Sequence, residues 1–135
     1  MGTRASLAHK FVYTLDTNAI IYYLQDDPRA VPILQGILDD PAIPVYISAV
    51  TEAELFSFPS LTDDEAQRIE NILRTVFVIP LASQIARAAA NSRRTYRVKL
   101  PDSVVAATAL FTGSTLLTRN AQDFKKILTL RLQAI

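Results

Sequence analysis

Residues Pro101–Thr118 read PDSVVAATALFTGSTLLT, and this stretch decides the fold. Pro101 is well placed to open a helix, because the first turn has no intrahelical N–H bond to lose. From there to Phe111 the chain is apolar nearly all round, which predicts a helix buried on every side. Gly113 follows as a stop, and Thr115–Thr118 is a short β-rich run. A buried helix leading straight into an apolar strand is one unit of an alternating α/β chain.

Outward from this unit the same alternation recurs. Strands are predicted at Phe11–Leu15, Val45–Val50 and Val76–Pro80, with Leu128–Leu132 a fifth at the sheet edge. Helices are predicted over Thr17–Gln25, Ala30–Leu38, Thr51–Phe56, the tract after Thr62, and Ala82–Tyr96. Thr62-Asp63-Asp64-Glu65 has the form of a capping box, and Ile69, Ile72, Leu73 and Val76 then recur at helical spacing. The fold class is therefore α/β: a three-layer α/β/α domain with a central, mostly parallel sheet of four to five strands. Residues 1–10 are expected to be a flexible lead-in and residues 11–135 a single domain, with no internal repeat or linker.

Composition narrows the chemistry. At 135 residues and 50% hydrophobic content the chain can bury a real core. The absence of cysteine excludes disulfides and thiolate zinc sites, and fits a reducing, cytoplasmic setting. No secretory signal or membrane-spanning run is legible. The one histidine, His9, precedes every predicted element, so a Ser–His–Asp triad has no core histidine to use. Any hydrolysis must rely on carboxylates, a metal, or both. Net charge is +1 but unevenly spread: from Arg87 onward nine Lys/Arg face only Asp102 and Asp123. Within that half Arg87 and Arg94 are expected on one helix face, Arg93 and Arg97 on another. Such a basic region suits a polyanion, or it is simply solvated.

Four acids sit where an apolar run gives way to a helix: Asp16 in FVYTLDTNAI, Glu54 in ISAVTEAELF, Asp102 in VKLPDSVVAATAL and Asp123 in LLTRNAQDF. Each has a plain local explanation. Asp16 can N-cap a helix, Thr51-x-x-Glu54 matches a capping box, Asp102 suits a helix N-terminus, and Asp123 can cap a turn. Together they say more. In an open α/β sheet the carboxyl ends of the strands converge on one crevice. Two like charges about 5 Å apart repel by roughly 3 kcal/mol at an effective dielectric of about 20. A buried cluster must then stay partly protonated or hold a cation. An all-oxygen site without His or Cys selects a hard ion, Mg²⁺ or Mn²⁺. Glu52 competes with Glu54, but two residues apart on a helix only one can face the crevice. Glu54 is preferred.

The order LDTNAII, ISAVTEAEL, LPDSVVAATAL and TRNAQDF resembles the PIN domain, and specifically the VapC-type toxins of prokaryotic toxin–antitoxin pairs. The similarity runs from Phe11 to about Leu130. It implies that Asp16, Glu54, Asp102 and Asp123 hold Mg²⁺ or Mn²⁺, with Asn18, Thr118 and Asn120 as supporting polar residues. It further implies cleavage of RNA, a cognate antitoxin protein as partner, and a homodimer. Arg93, Arg94, Arg97 and Lys99 are candidates for RNA backbone contacts. Two features depart from the family's pattern. A basic loop, Arg97-Val98-Lys99-Leu100, stands where a glycine is common, and FSFPSLT follows Glu54 in place of a shorter glycine-containing turn. Rival readings are a PIN-like module that binds RNA or protein without cutting, and a phosphoryl-transfer protein with Asp16 as nucleophile. The second lacks an acid two residues on, where Asn18 stands.

Overall fold

The computed structural model describes residues 11–135; the expected lead-in over residues 1–10, with His9, lies outside them. Five strands, β1 (Tyr13–Leu15), β2 (Val45–Ser48), β3 (Phe77–Ile79), β4 (Thr115–Thr118) and β5 (Leu132–Ala134), form one sheet in the order β3-β2-β1-β4-β5. Every pairing is parallel. The helices among the described residues are α1 (Thr17–Leu24), α2 (Ala30–Leu38), α3 (Ala49–Leu55), α4 (Asp63–Leu73), α5 (Ser83–Tyr96), α6 (Leu100–Thr112) and α7 (Ala121–Phe124). None is long and apolar enough to cross a membrane.

The three layers follow from side-chain alternation along the strands. On one face Leu15, Ile47 and Leu117 pack with Ile20, Leu34, Leu55 and Ile69 from α1 to α4. Leu116, one residue before Leu117, points to the other face and packs with Val105, Ala109 and Phe124 of α6 and α7. Ile85 and Ala89 of α5 meet Val104 and Ala107 on that same side. Helix α6 is the keystone of this layer, with every residue from Ser103 to Ala109 buried. Fully burying one valine contributes roughly 1.5–3 kcal/mol. Its buried hydroxyls do not undo this gain, because Ser103 donates to the Val98 carbonyl at 3.1 Å and Thr108 to that of Val104 at 2.8 Å.

Three local expectations are corrected. The second strand ends at Ser48, whose side chain accepts the Val50 N–H at 3.0 Å and caps α3. Thr51 therefore lies inside the helix, and no Thr51–Glu54 capping box exists. The fifth strand is Leu132–Ala134 rather than Leu128–Leu132. Ile127 and Leu130 are buried while Leu128 is 86% exposed, a spacing of three that suits a turn and not a strand. The glycine-less loop before α6 places Arg97 in the left-handed region, φ 58°, where a side chain costs about 1 kcal/mol. By contrast, the capping box at Thr62 is present in both halves.

This topology fixes where a ligand can sit. From β1 the chain steps through β2 to β3 on one side, then returns through α5 and α6 to β4 on the other side of β1. The switch in direction opens a crevice at the carboxyl ends of β1 and β4.

Candidate active site

Asp16 lies at that crevice, immediately after β1, and is only 3% exposed. It occupies the N-cap position of α1, yet its side chain makes no capping hydrogen bond. Instead Thr118, at the end of β4, donates to Asp16 Oδ2 at 2.8 Å. The Thr118 oxygen in turn accepts the Asn120 backbone N–H at 2.9 Å. The single Thr118 proton is thus committed to Asp16, which it holds by one oxygen.

Glu54 reaches the same region from α3. Thr17, the first residue of α1, donates to Glu54 Oε1 at 2.7 Å and lies 3.1 Å from Thr51 Oγ1. Helices α1 and α3 are therefore tied together by a buried hydroxyl pair that aims one glutamate. Glu52 makes no such contact among the described residues. The first turn of α6 brings Asp102, half-buried, and the short α7 brings Asp123, which is exposed.

Electrostatics link these acids. Burial pushes the Asp16 carboxyl up from 3.8 to about 6; the Thr118 hydrogen bond opposes this, and the charges of Asp102 and Glu54 reinforce it. Asp102 is also raised, first by burial and then by Asp123 and Glu54, with Lys99 acting in the opposite sense. Across the crevice, then, Asp102 and Glu54 act on Asp16, and Asp123 and Glu54 act on Asp102. They do not close into a cage: among the described residues no three acids stand close enough to hold an ion between them. The donor set of carboxylates and hydroxyls fits a hard divalent ion that keeps much of its water, not a fully protein-bound one.

The remaining predicted residues divide. Asn18 is half-buried on α1 and makes no side-chain hydrogen bond among the described residues, while Asn120 contributes its backbone N–H to Thr118. Arg93, Arg94 and Arg97, expected on different faces, line one open cleft of about 370 Å³ with Ala90 and Leu100. With Ala90 they stand at i, i+3, i+4 and i+7, the spacing of one helix face. An apolar cleft of about 200 Å³, lined by Ile21, Leu24, Leu55, Phe58, Leu61 and Ile69 among others, includes none of the four acids.

The profile of the PIN domain matches residues 13–128. The chain belongs to the PIN-domain family. Among solved structures, this PIN domain is similar to a chain of a toxin–antitoxin complex from Klebsiella pneumoniae, at 29% identity and TM-score 0.74, over 87% of this chain and 94% of that one. It is similar also to a chain of VapBC-1 from nontypeable Haemophilus influenzae, at 27% identity and TM-score 0.76, over 91% and 97%. A chain of DNA-bound VapBC from Salmonella typhimurium matches at TM-score 0.78 over 92% and 98%; at 22% identity it speaks for the fold alone. No curated protein matches the chain by sequence.

Sequence reasoning missed two residues of this PIN domain's site. Thr17 sits inside the DTN motif, beside residues that were singled out, but its partner Glu54 is 37 positions away. Arg119, between Thr118 and Asn120, was counted only as a charge. Its side chain is 19% exposed and pairs with Asp27 at 2.7 Å.

Proposed function

We propose that this PIN domain is a metal-dependent endoribonuclease, the toxin of a toxin–antitoxin pair, acting with Mg²⁺ or Mn²⁺. The observation that carries the reading is the convergence of Asp16, Glu54 and Asp102 at the switch point of the sheet, where burial and neighbouring carboxylates raise Asp16 and Asp102 above the ordinary range. When bound, a divalent ion supplies charge neutralisation and Lewis acidity for phosphodiester hydrolysis.

The chain's own residues then have distinct roles. Asp16, Glu54 and Asp102 would hold the ion, with Asp123 contributing directly or through water. Thr118 fixes one oxygen of Asp16 and leaves the other toward the crevice. Thr17 does the same for Glu54, which in its ionised form can accept a proton from water. Asn18 and Asn120 line the approach. Arg93, Arg94, Arg97 and Lys99 hold the RNA backbone, which sets affinity and salt dependence but reads little sequence. Replacing Arg94 and Arg97 with Ala should flatten the salt dependence of RNA binding; an unchanged slope contradicts that assignment.

The toxin role, with a cognate antitoxin protein as partner, is supported by a relative solved as a toxin–antitoxin complex; a homodimer as the assembly follows from the resemblance to VapC-type toxins. Such a protein would work in the cytoplasm. The test is cleavage of a mixed RNA pool by purified protein with Mg²⁺, Mn²⁺ or EDTA, beside Asp16→Asn. Cutting that needs metal and vanishes in the variant supports the nuclease. No cutting by a folded protein would turn the reading to a non-catalytic RNA- or protein-binding module.

A further inference from the structure

Arg119 follows Thr118 and precedes Asn120, so its backbone lies within the segment that holds Asp16. Its side chain turns away from the acids and is held on two sides. Arg119 Nη2 meets Asp27 Oδ1 at 2.7 Å and Nη1 reaches Oδ2 at 3.5 Å. The guanidinium carbon lies 4.2 Å from the centre of the Tyr22 ring on α1. Asp27 is itself anchored, because its Oδ1 accepts the backbone N–H groups of Arg29 and Ala30, both at 2.9 Å. The Asp27 N–H donates to the Tyr22 carbonyl at 3.0 Å, which closes the unit onto the end of α1.

Stability alone is a poor reason for this arrangement. Even a partly buried ion pair is costly to desolvate and is often no better than apolar packing. Here the Arg119 Nε–H is also buried without a partner, a further cost. What the contact does supply is position. It pins the chain leaving β4 to the turn between α1 and α2, while Thr118, next to Arg119, accepts the Asn120 N–H and donates to Asp16.

We propose that the Arg119–Asp27–Tyr22 clamp is a positioning device for the metal site: it sets the 118–120 segment so that Thr118 presents Asp16 to the ion. Arg119 is a positioning residue that touches neither ion nor RNA. The inference rests on the proposed metal-dependent reading of the crevice. A two-pronged guanidinium suits the task better than an ammonium, which offers a point charge. Outer residues that orient a ligand typically change metal affinity by roughly 10–100-fold when replaced. Acting through Thr118, the clamp is expected near the lower end.

The experiment is calorimetric titration of Mn²⁺ into the full chain without RNA, for the unaltered protein, Arg119→Met, Arg119→Lys and Asp27→Asn. Arg68→Ala serves as control, since it removes a neighbouring pair with Asp26 and a bond to the Leu24 carbonyl but does not touch β4. Each variant is first checked for a folded state by circular dichroism. Arg119→Met and Asp27→Asn should bind Mn²⁺ about tenfold more weakly, Arg119→Lys should fall between, and Arg68→Ala should match the unaltered protein. In cleavage assays the clamp variants should lose kcat with KM for RNA retained. Equal Mn²⁺ affinity in the folded clamp variants, or equal weakening in the control, overturns the positioning role alone. An unaltered protein that binds no Mn²⁺ overturns the metal-site reading and this inference with it.

Discussion

Two polar clusters are buried at opposite edges of the same pair of strands, and they are finished in different ways. At the amino edge of β1 and β4, Thr14, Thr112 and Ser114 form a chain of hydroxyls at 2.6 and 2.8 Å. Thr112 donates to the Thr108 carbonyl at 2.9 Å, so every proton in the chain can find an acceptor. At the carboxyl edge, burial and neighbouring carboxylates raise Asp16 and Asp102, and the nearby hydroxyls of Thr118 and Thr17 each donate to one carboxylate oxygen. Neutral groups close their own network, whereas like charges buried together leave a demand that a proton or a cation must meet. Burial by itself therefore does not mark a site. The sign and incompleteness of what is buried does.

The largest effect that could break this contrast comes from Asp16→Asn. Cleavage should fall by more than about 100-fold, beyond the usual cost of an outer residue. The metal-free protein should at the same time become more stable. The folded state holds the Asp16 proton more tightly than the unfolded chain does, so stability declines as pH rises from 3.8 through about 6 and is level above. The rise in pKa corresponds to roughly 3 kcal/mol at most, which the amide would return at pH 8. A variant less stable than its parent in the absence of metal would refute the strained-acid picture.

At the other edge, Ser114→Ala leaves Thr14 without its 2.6 Å partner. Unfolding measurements should show a loss of roughly 1–3 kcal/mol, and cleavage by the folded fraction should be unchanged. Thr17→Val has the reverse profile, with activity down roughly tenfold and stability changed by about 1 kcal/mol. Should Thr17→Val unfold the protein with no specific loss of rate, Thr17 would belong with the neutral cluster instead. The smallest effect sharpens the comparison with a third case. Asp27 is a carboxylate whose partners are supplied by the protein, chiefly Arg119, and it is held at about 2. Its contribution is present above 3.8 and lost as pH falls through about 2, so Asp27→Asn should flatten that acid limb of the stability curve.

Much of this was legible in the sequence because it is local. The buried character of α6 could be read from its all-round apolar pattern, and the α/β alternation from the runs on either side. Asp16 and Asp102 could be placed at strand ends and helix starts for the same reason. The boundary at Ser48 was missed because Ser48 and Thr51 are both good caps, and only the observed geometry chooses between them. The shifted fifth strand reflects a misleading local pattern: Leu128, Leu130 and Leu132 alternate as a strand would, but the buried residues are Ile127 and Leu130, three apart in a turn. Thr17 and Arg119 were not legible for a deeper reason. Their roles depend on partners 37 and 92 positions away, which no local pattern encodes. The grouping of Arg93, Arg94 and Arg97 was, by contrast, open to the sequence, since with Ala90 they recur at the spacing of one helix face.

The central claim is that the carboxyl-edge cluster is incomplete until a hard divalent ion joins it. Thermal unfolding of the unaltered protein and Asp16→Asn, from pH 4 to 8 with and without Mn²⁺, tests it most directly. The account predicts that the metal-free parent loses Tm as pH rises through about 6, that Asp16→Asn does not, and that Mn²⁺ raises Tm only in the parent. Matching pH profiles for the two proteins, with Mn²⁺ raising both equally or neither, would contradict it.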